Sequence, residues 1–128
     1  MNAVDDLRLA SGYYYLATPY SKWAAGLDDA AQTAAWLAGR LIVAGVVVYS
    51  PIAHSHAIAR AAGIDPYDHA VWLPADRPLF DAAHGLLVAA LEGWRDSYGI
   101  CEEITWAKSQ RKPRFLLDPR ALTWQALP

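Results

Sequence analysis

The chain has 128 residues, a formal net charge of −2 and 55% apolar residues with Tyr counted. Exchanging its seven Tyr for its eight Gly leaves about 56%, against an ordinary ~45–50%, while the 19% charged residues fall below the usual ~25%. A chain of this size buries roughly two thirds of its unfolded surface around one core, which excludes disorder and a small disulfide scaffold. The longest apolar stretch, residues 41–49, is far short of the ~20 residues a membrane helix needs, so no membrane association is expected. Asp5 and Asp6 stand where a secretory signal carries basic residues. The lone Cys101 leaves no internal disulfide and points to a reducing cytoplasm. The short basic run Lys108, Arg111, Lys112, Arg114 is too small a footprint for a nucleic-acid polymer.

Residues 1–11 lack periodicity and read as a loose leader to a single domain over 12–128. Tyr13 to Thr18 is a β-prone run ended by Pro19. Residues 28–44 form an Ala-rich helix, with Asp28 and Asp29 at its positive end and Gly45 as its stop. Residues 46–49 are a continuous apolar strand closed by Ser50-Pro51. A short helix is expected from His54 to Ala62 and another segment from Asp65 to Ala83, broken into pieces by Pro74 and Pro78, each of which removes a helix hydrogen bond. Residues 85–91 are a third buried strand. A helix from Ser97 or Gly99 to Gln110 and a last strand over 114–117 follow, then a tail from 118 to 128 that contains Trp124. Helices between buried strands imply a parallel sheet covered on both faces, and ligands of such sheets bind beyond the carboxyl ends of the strands.

The chemistry is therefore sought after strands one, two and three. On the helix after strand three, Ile100, Ile104 and Ala107 share a face. At ~100° per residue Glu103 lies about 60° from its centre, while Glu102 lies on the far side. Glu103 is thus steered inward. Asp76 and Asp81 precede strand three, and a second carboxylate converging on Glu103 would allow one group to attack while the other moves a proton. His54 and His56, in the loop expected after strand two, are read as polar pocket residues. A zinc site built from them and an Asp is the weaker reading, because no third ligand has a fixed spacing. Cys101 is read as a packed small side chain. The exit of strand one has no Gly-rich phosphate loop, but Thr18 and Ser21 carry hydroxyls that can hold a sugar or phosphate.

Residues 15–21 (Tyr-Leu-Ala-Thr-Pro-Tyr-Ser), residues 49–56 (Tyr-Ser-Pro-Ile-Ala-His-Ser-His), Trp72 four before Asp76, and the pattern over 93–107 with Lys112-Pro113 together resemble the DUF1937 family. That family is similar to the nucleoside 2-deoxyribosyltransferases and the 2′-deoxynucleoside 5′-monophosphate N-hydrolases. The resemblance implies a three-layer sandwich, flavodoxin-like or Rossmann-like, with a parallel sheet of 4–5 strands. It implies Glu103 as nucleophile on an anomeric carbon, Asp76 as the group assisting the leaving base, and Tyr15 as the residue orienting Glu103. Ser97 takes the place of a phosphate-contacting residue, and Thr18, Tyr20, Ser21, His54, His56, Trp94 and Gly99 complete the expected substrate site. His84 stands where the family usually has Asp. The expected activity is cleavage of an N-glycosidic bond, by hydrolysis or base exchange, on a nucleoside or nucleoside 5′-monophosphate, without metal or organic cofactor. A non-catalytic nucleotide-binding module is the alternative. Trp23, Trp72, Trp94 and Trp124 fall outside the expected core, so an aromatic-walled site and a homo-oligomer are expected.

Overall fold

The structure, a computed structural model, describes residues 2–128. Six strands, β1 (Asn2–Ala3), β2 (Tyr14–Ala17), β3 (Val48–Tyr49), β4 (Gly85–Ala89), β5 (Arg114–Asp118) and β6 (Thr123–Ala126), form one sheet in the order β1-β6-β5-β4-β2-β3. The four from β3 to β5 are parallel neighbours, and β6 and β1 add to the β5 edge in antiparallel fashion. The helices are α1 (Leu27–Val43), α2 (Pro51–Ala62), α3 (His69–Ala82) and α4 (Tyr98–Ser109).

Strand alternation divides the core in two. Tyr14, Leu16, Leu87, Ala89 and Leu117 pack with Leu37 and Leu41 of α1 on one face. Tyr15, Ala17, Leu86 and Val88 pack with Phe80 of α3 and Ile100 and Ala107 of α4 on the other. This is a three-layer α/β sandwich, as expected, with a mostly parallel sheet. Each fully buried Leu or Ile here contributes roughly 1.5–3 kcal/mol of apolar burial. Gly45, at φ +89°, ends α1 in the conformation that favours glycine. Gly85 is required for a different reason, since a Cβ there would stand 2.6 Å from the Pro113 carbonyl oxygen of the chain entering β5.

Both chain ends differ from expectation. Residues 2–11 are not a loose leader: Asn2–Ala3 pairs with β6, and the 3-10 turn Val4–Leu7 places Val4 and Leu7 in the core beside α1. The tail likewise contains β6, whose Trp124 packs on Phe115 and donates its indole N–H to the Ala3 carbonyl. Neither segment has a pattern of its own: β1 is held by β6, and β6 lies between β1 and β5.

Two helices also differ. α2 begins at Pro51 rather than His54, because the Ser50 side chain accepts a hydrogen bond from the Ala53 N–H and Pro51 occupies the first helical position. His54 and His56 are therefore helical. α3 runs unbroken through Pro74 and Pro78. Four residues apart, the two prolines lie on one face, which is the exposed one, so water can satisfy the carbonyls they leave free. Asp76, two residues from each, is carried to the opposite, inward side. Lys112 of the basic run caps the end of this helix, donating to the carbonyls of Asp81 and Ala83.

Candidate active site

The chain leaves β2 for β3 on one side and returns to β4 on the other, so the sheet has its switch point at β2. In open parallel sheets the crevice beyond the strand ends at that point is where ligands bind. A cleft lies there, with an open volume of about 780 Å³ including its solvent-filled mouth. Tyr15, Thr18, Tyr20 and Ser21 come from β2 and its exit. Trp72, Leu73 and Asp76 come from α3, and Ser97, Tyr98, Gly99, Glu103 and Trp106 from α4.

Each of the three expected catalytic residues is delivered by a different element. Ser97 caps α4, accepting from the Ile100 N–H through its hydroxyl oxygen, and the inward stripe Ile100–Glu103–Ala107 then points Glu103 into the cleft. Glu102 is not part of the lining. On α3 the stripe Trp72–Asp76–Phe80 does the same for Asp76. Tyr15, fully buried, is wedged edge-on against Phe80 at 5.1 Å between ring centres, and Phe80 against Trp106 at 5.3 Å.

The electrostatics tie the three together. Burial pushes the Glu103 carboxyl up to about 8; the facing Tyr15 hydroxyl pulls it back down, and the charge on Asp76 adds to the rise. Burial raises Asp76 to about 6. Tyr15 is held protonated by burial and by the charges of Glu103 and Asp76. Its hydroxyl faces Glu103 without a partner at full hydrogen-bond geometry, and the buried Thr18 hydroxyl also lacks one. Because buried polar atoms normally have partners, these two hydroxyls mark positions suited to ligand groups. Tyr15→Phe is expected to leave stability within about 1 kcal/mol, because no full hydrogen bond is lost, and to slow turnover about 10–100-fold. A thermal melt and a rate measurement on the same preparation check both halves.

Of the expected substrate residues, Ser97, Thr18, Tyr20, Ser21 and Gly99 line the cleft, whereas His54, His56 and Trp94 do not. His54 turns back to accept or donate at the Tyr49 hydroxyl, 2.9 Å away. Tyr49 stands behind Tyr15, raised to about 12 by burial and by the charge on Asp76. His56 sits behind Tyr20. Trp94 is partly buried against the core, with Arg95 stacked on its ring at 4.6 Å. Asp81 is outside as well, bonded to Gln110 and Arg77 at the surface. His84 packs against Tyr14, also away from the cleft. Among the described residues no three His, Cys, Asp or Glu side chains are grouped to hold a metal ion.

Of the four tryptophans set apart by their positions, only Trp72 lines the cleft. Sequence reasoning did not single out Tyr98 or Trp106. His69 and Tyr98 open α3 and α4 and lie against each other at 4.6 Å between ring centres. Trp106 follows Glu103 by three residues and so shares its face. That spacing was the available signal.

The fold and site thus define an α/β sandwich with two carboxyls and a buried tyrosine at the sheet's switch point. Residues 12–118 match the family model of a domain of unknown function, DUF1937, and the chain belongs to that family. No curated protein matches it.

Proposed function

We propose that the cleft cleaves the N-glycosidic bond of a nucleoside 5′-monophosphate or nucleoside. The observation that carries this reading is the meeting of Glu103, Asp76 and Tyr15 in one aromatic-walled cleft. Glu103 as carboxylate attacks the anomeric carbon. The carbon–nitrogen bond breaks, and the departing base takes the Asp76 proton. Water, or the N–H of a second base, then attacks the glycosyl ester, returning a proton to Asp76 and releasing Glu103 as carboxylate.

The pair carries the right number of protons for this. Between about pH 6 and about pH 8 it holds one. In the free cleft that proton prefers Glu103, whereas the reaction needs it on Asp76. Moving it costs free energy, because burial raises Glu103 further than Asp76. A base nitrogen accepting a hydrogen bond from protonated Asp76, with Tyr15 donating to ionised Glu103, would offset that cost.

A nucleotide is favoured over a nucleoside by the N-terminus of α4. The Ser97 hydroxyl and the partnerless Thr18 hydroxyl border the same cleft as that helix end, and a helix N-terminus attracts phosphate. Glycine keeps most of the capping effect, so Ser97→Gly is expected to raise KM for a monophosphate about tenfold and leave the nucleoside unchanged. Equal effects on both would remove the phosphate contact.

The deciding experiment incubates the protein with nucleosides and nucleoside 5′-monophosphates and measures free base by chromatography. Release that depends on Glu103 supports the assignment, and release surviving Glu103→Ala overturns it. Binding without any release replaces it with a nucleotide-binding module.

The expected homo-oligomer belongs to the same proposal. α1 exposes Trp36, Ile42 and Val43, the last 90% exposed, beside exposed Val47. Exposed large apolar side chains of this kind are the sort an interface covers. Light scattering coupled to size exclusion is expected to give a mass above 14.0 kDa; a monodisperse monomer contradicts it.

A further inference from the structure

Tyr20 borders the cleft and also a smaller recess lined by His56, Arg60 and Ile64. Its hydroxyl lies 2.7 Å from the Nδ1 of His56. The other ring nitrogen, Nε2, is 2.7 Å from a carboxylate oxygen of Asp28 on α1, and the Arg60 Nε donates to that same oxygen at 3.0 Å. His56 is largely enclosed, its side chain 12% exposed, while Asp28 lies at the surface.

The direction of every hydrogen bond in this chain follows from donor chemistry. Arginine only donates. The hydrogen bonds from His56 and Arg60 hold the Asp28 carboxyl below its ordinary range, so it is ionised and only accepts. Nε2 of His56 must therefore carry the hydrogen, and in the neutral imidazole Nδ1 is then an acceptor. Against the neutral imidazole Tyr20, with its one hydroxyl hydrogen, donates to Nδ1. Burial, with the neighbouring Tyr67 and Asp28, opposes ionisation of the phenol, and Arg60 favours it only in part. The hydroxyl oxygen then keeps an acceptor position, on a residue that lines the cleft.

We propose that Tyr20 is a specificity-determining residue whose hydroxyl oxygen accepts a hydrogen bond from a hydroxyl or amino group of the ligand, and that His56 and Asp28 set this polarity from outside the cleft. His56 is then a positioning residue acting through Tyr20. A ligand with only an acceptor at that place meets oxygen against oxygen and is rejected. The choice of a nucleotide as ligand rests on the function proposed above; the polarity of the Asp28–His56–Tyr20 chain does not.

Two measurements test it. Long-range nitrogen–proton NMR at about pH 8.5, two units above the ordinary imidazole value, is expected to show His56 as the Nε2–H tautomer. An Nδ1–H tautomer overturns the proposal. Calorimetry on the Glu103→Gln protein then compares adenosine 5′-monophosphate with analogues missing the sugar 2′-hydroxyl, the sugar 3′-hydroxyl or the base amino group. Tyr20→Phe is expected to weaken the parent about tenfold and to leave one analogue within about twofold. His56→Asn, whose side-chain carbonyl oxygen replaces Nδ1, preserves the discrimination, and His56→Ala loses it. Equal weakening of every ligand by Tyr20→Phe, or none, overturns the proposal. Absence of all nucleotide binding overturns the nucleotide reading and the ligand half of this inference, while the tautomer is still decided by NMR.

Discussion

Glu103→Gln is expected to stop base release while making the fold more stable above neutral pH. The amide is nearly the same size but cannot attack carbon, and loss of a covalent nucleophile costs on the order of 10³-fold or more. The stability gain follows from proton linkage. A carboxyl whose folded value is raised keeps its proton in the native state over a range where the unfolded chain has released it. In that window the native state binds more protons, so stability falls as pH rises. For Glu103 the window runs from the ordinary 4.5 to about 8. Glutamine, never charged, escapes the loss. At ~1.4 kcal/mol per unit, and with solvent relaxing part of it, the variant is expected to exceed the wild type by about 1–4 kcal/mol at pH 8 and to match it near pH 4.5. Melts at the two pH values check this. Equal stability at both would mean that the carboxylate is not strained by its position, and retained base release would remove it from the chemistry.

Asp76→Asn is expected to slow release of an ordinary base about 10²–10⁴-fold, the usual worth of a general acid. A glycoside whose leaving group departs without a proton is expected to be slowed far less. A uniform loss on both substrates would make Asp76 a structural residue. The pH dependence gives a second readout. The wild-type kcat/KM is expected to be bell-shaped with limbs near 6 and 8, values that belong to the coupled pair rather than to either carboxyl. Below the lower limb both carboxyls are protonated and no nucleophile remains; above the upper limb the shared proton is gone. In the Asn variant only Glu103 must ionise. Activity should therefore rise with pH to a plateau, and the rise should come lower than about 8 because the Asp76 charge that lifted Glu103 is absent.

The central sheet was legible because β2, β4 and β5 are apolar runs punctuated by Pro and Gly, and the helix between β4 and β5 had room for only one face to turn inward. That face separated Glu103 from Glu102 by angle alone. The Asp76 helix was misread because proline was judged by its local cost; the spacing of Pro74 and Pro78 puts both on the solvent side, where that cost is small. β1 could not be found from within, since a segment of two residues depends on a partner about 120 positions away, and β6, a four-residue strand, takes its place from its antiparallel pairing with β5 and β1. The histidines were misassigned for a related reason. Their spacing says nothing about Tyr49 or about Tyr20 and Asp28, the groups that occupy their ring nitrogens.

The pairing of Asn2 and Ala3 with Trp124 and Thr123 also bears on how the chain is born. Synthesis makes β1 well before its partner β6. The parallel strands can assemble once β5 has emerged, but Val4 and Leu7 cannot be pinned by the β1–β6 ladder until residues 123–126 exist. During translation the apolar patch over Leu37 and Leu41 therefore waits with its N-terminal cover only loosely held. A nascent chain arrested before residue 123 should bind a hydrophobic dye or a chaperone that one extended past residue 126 does not.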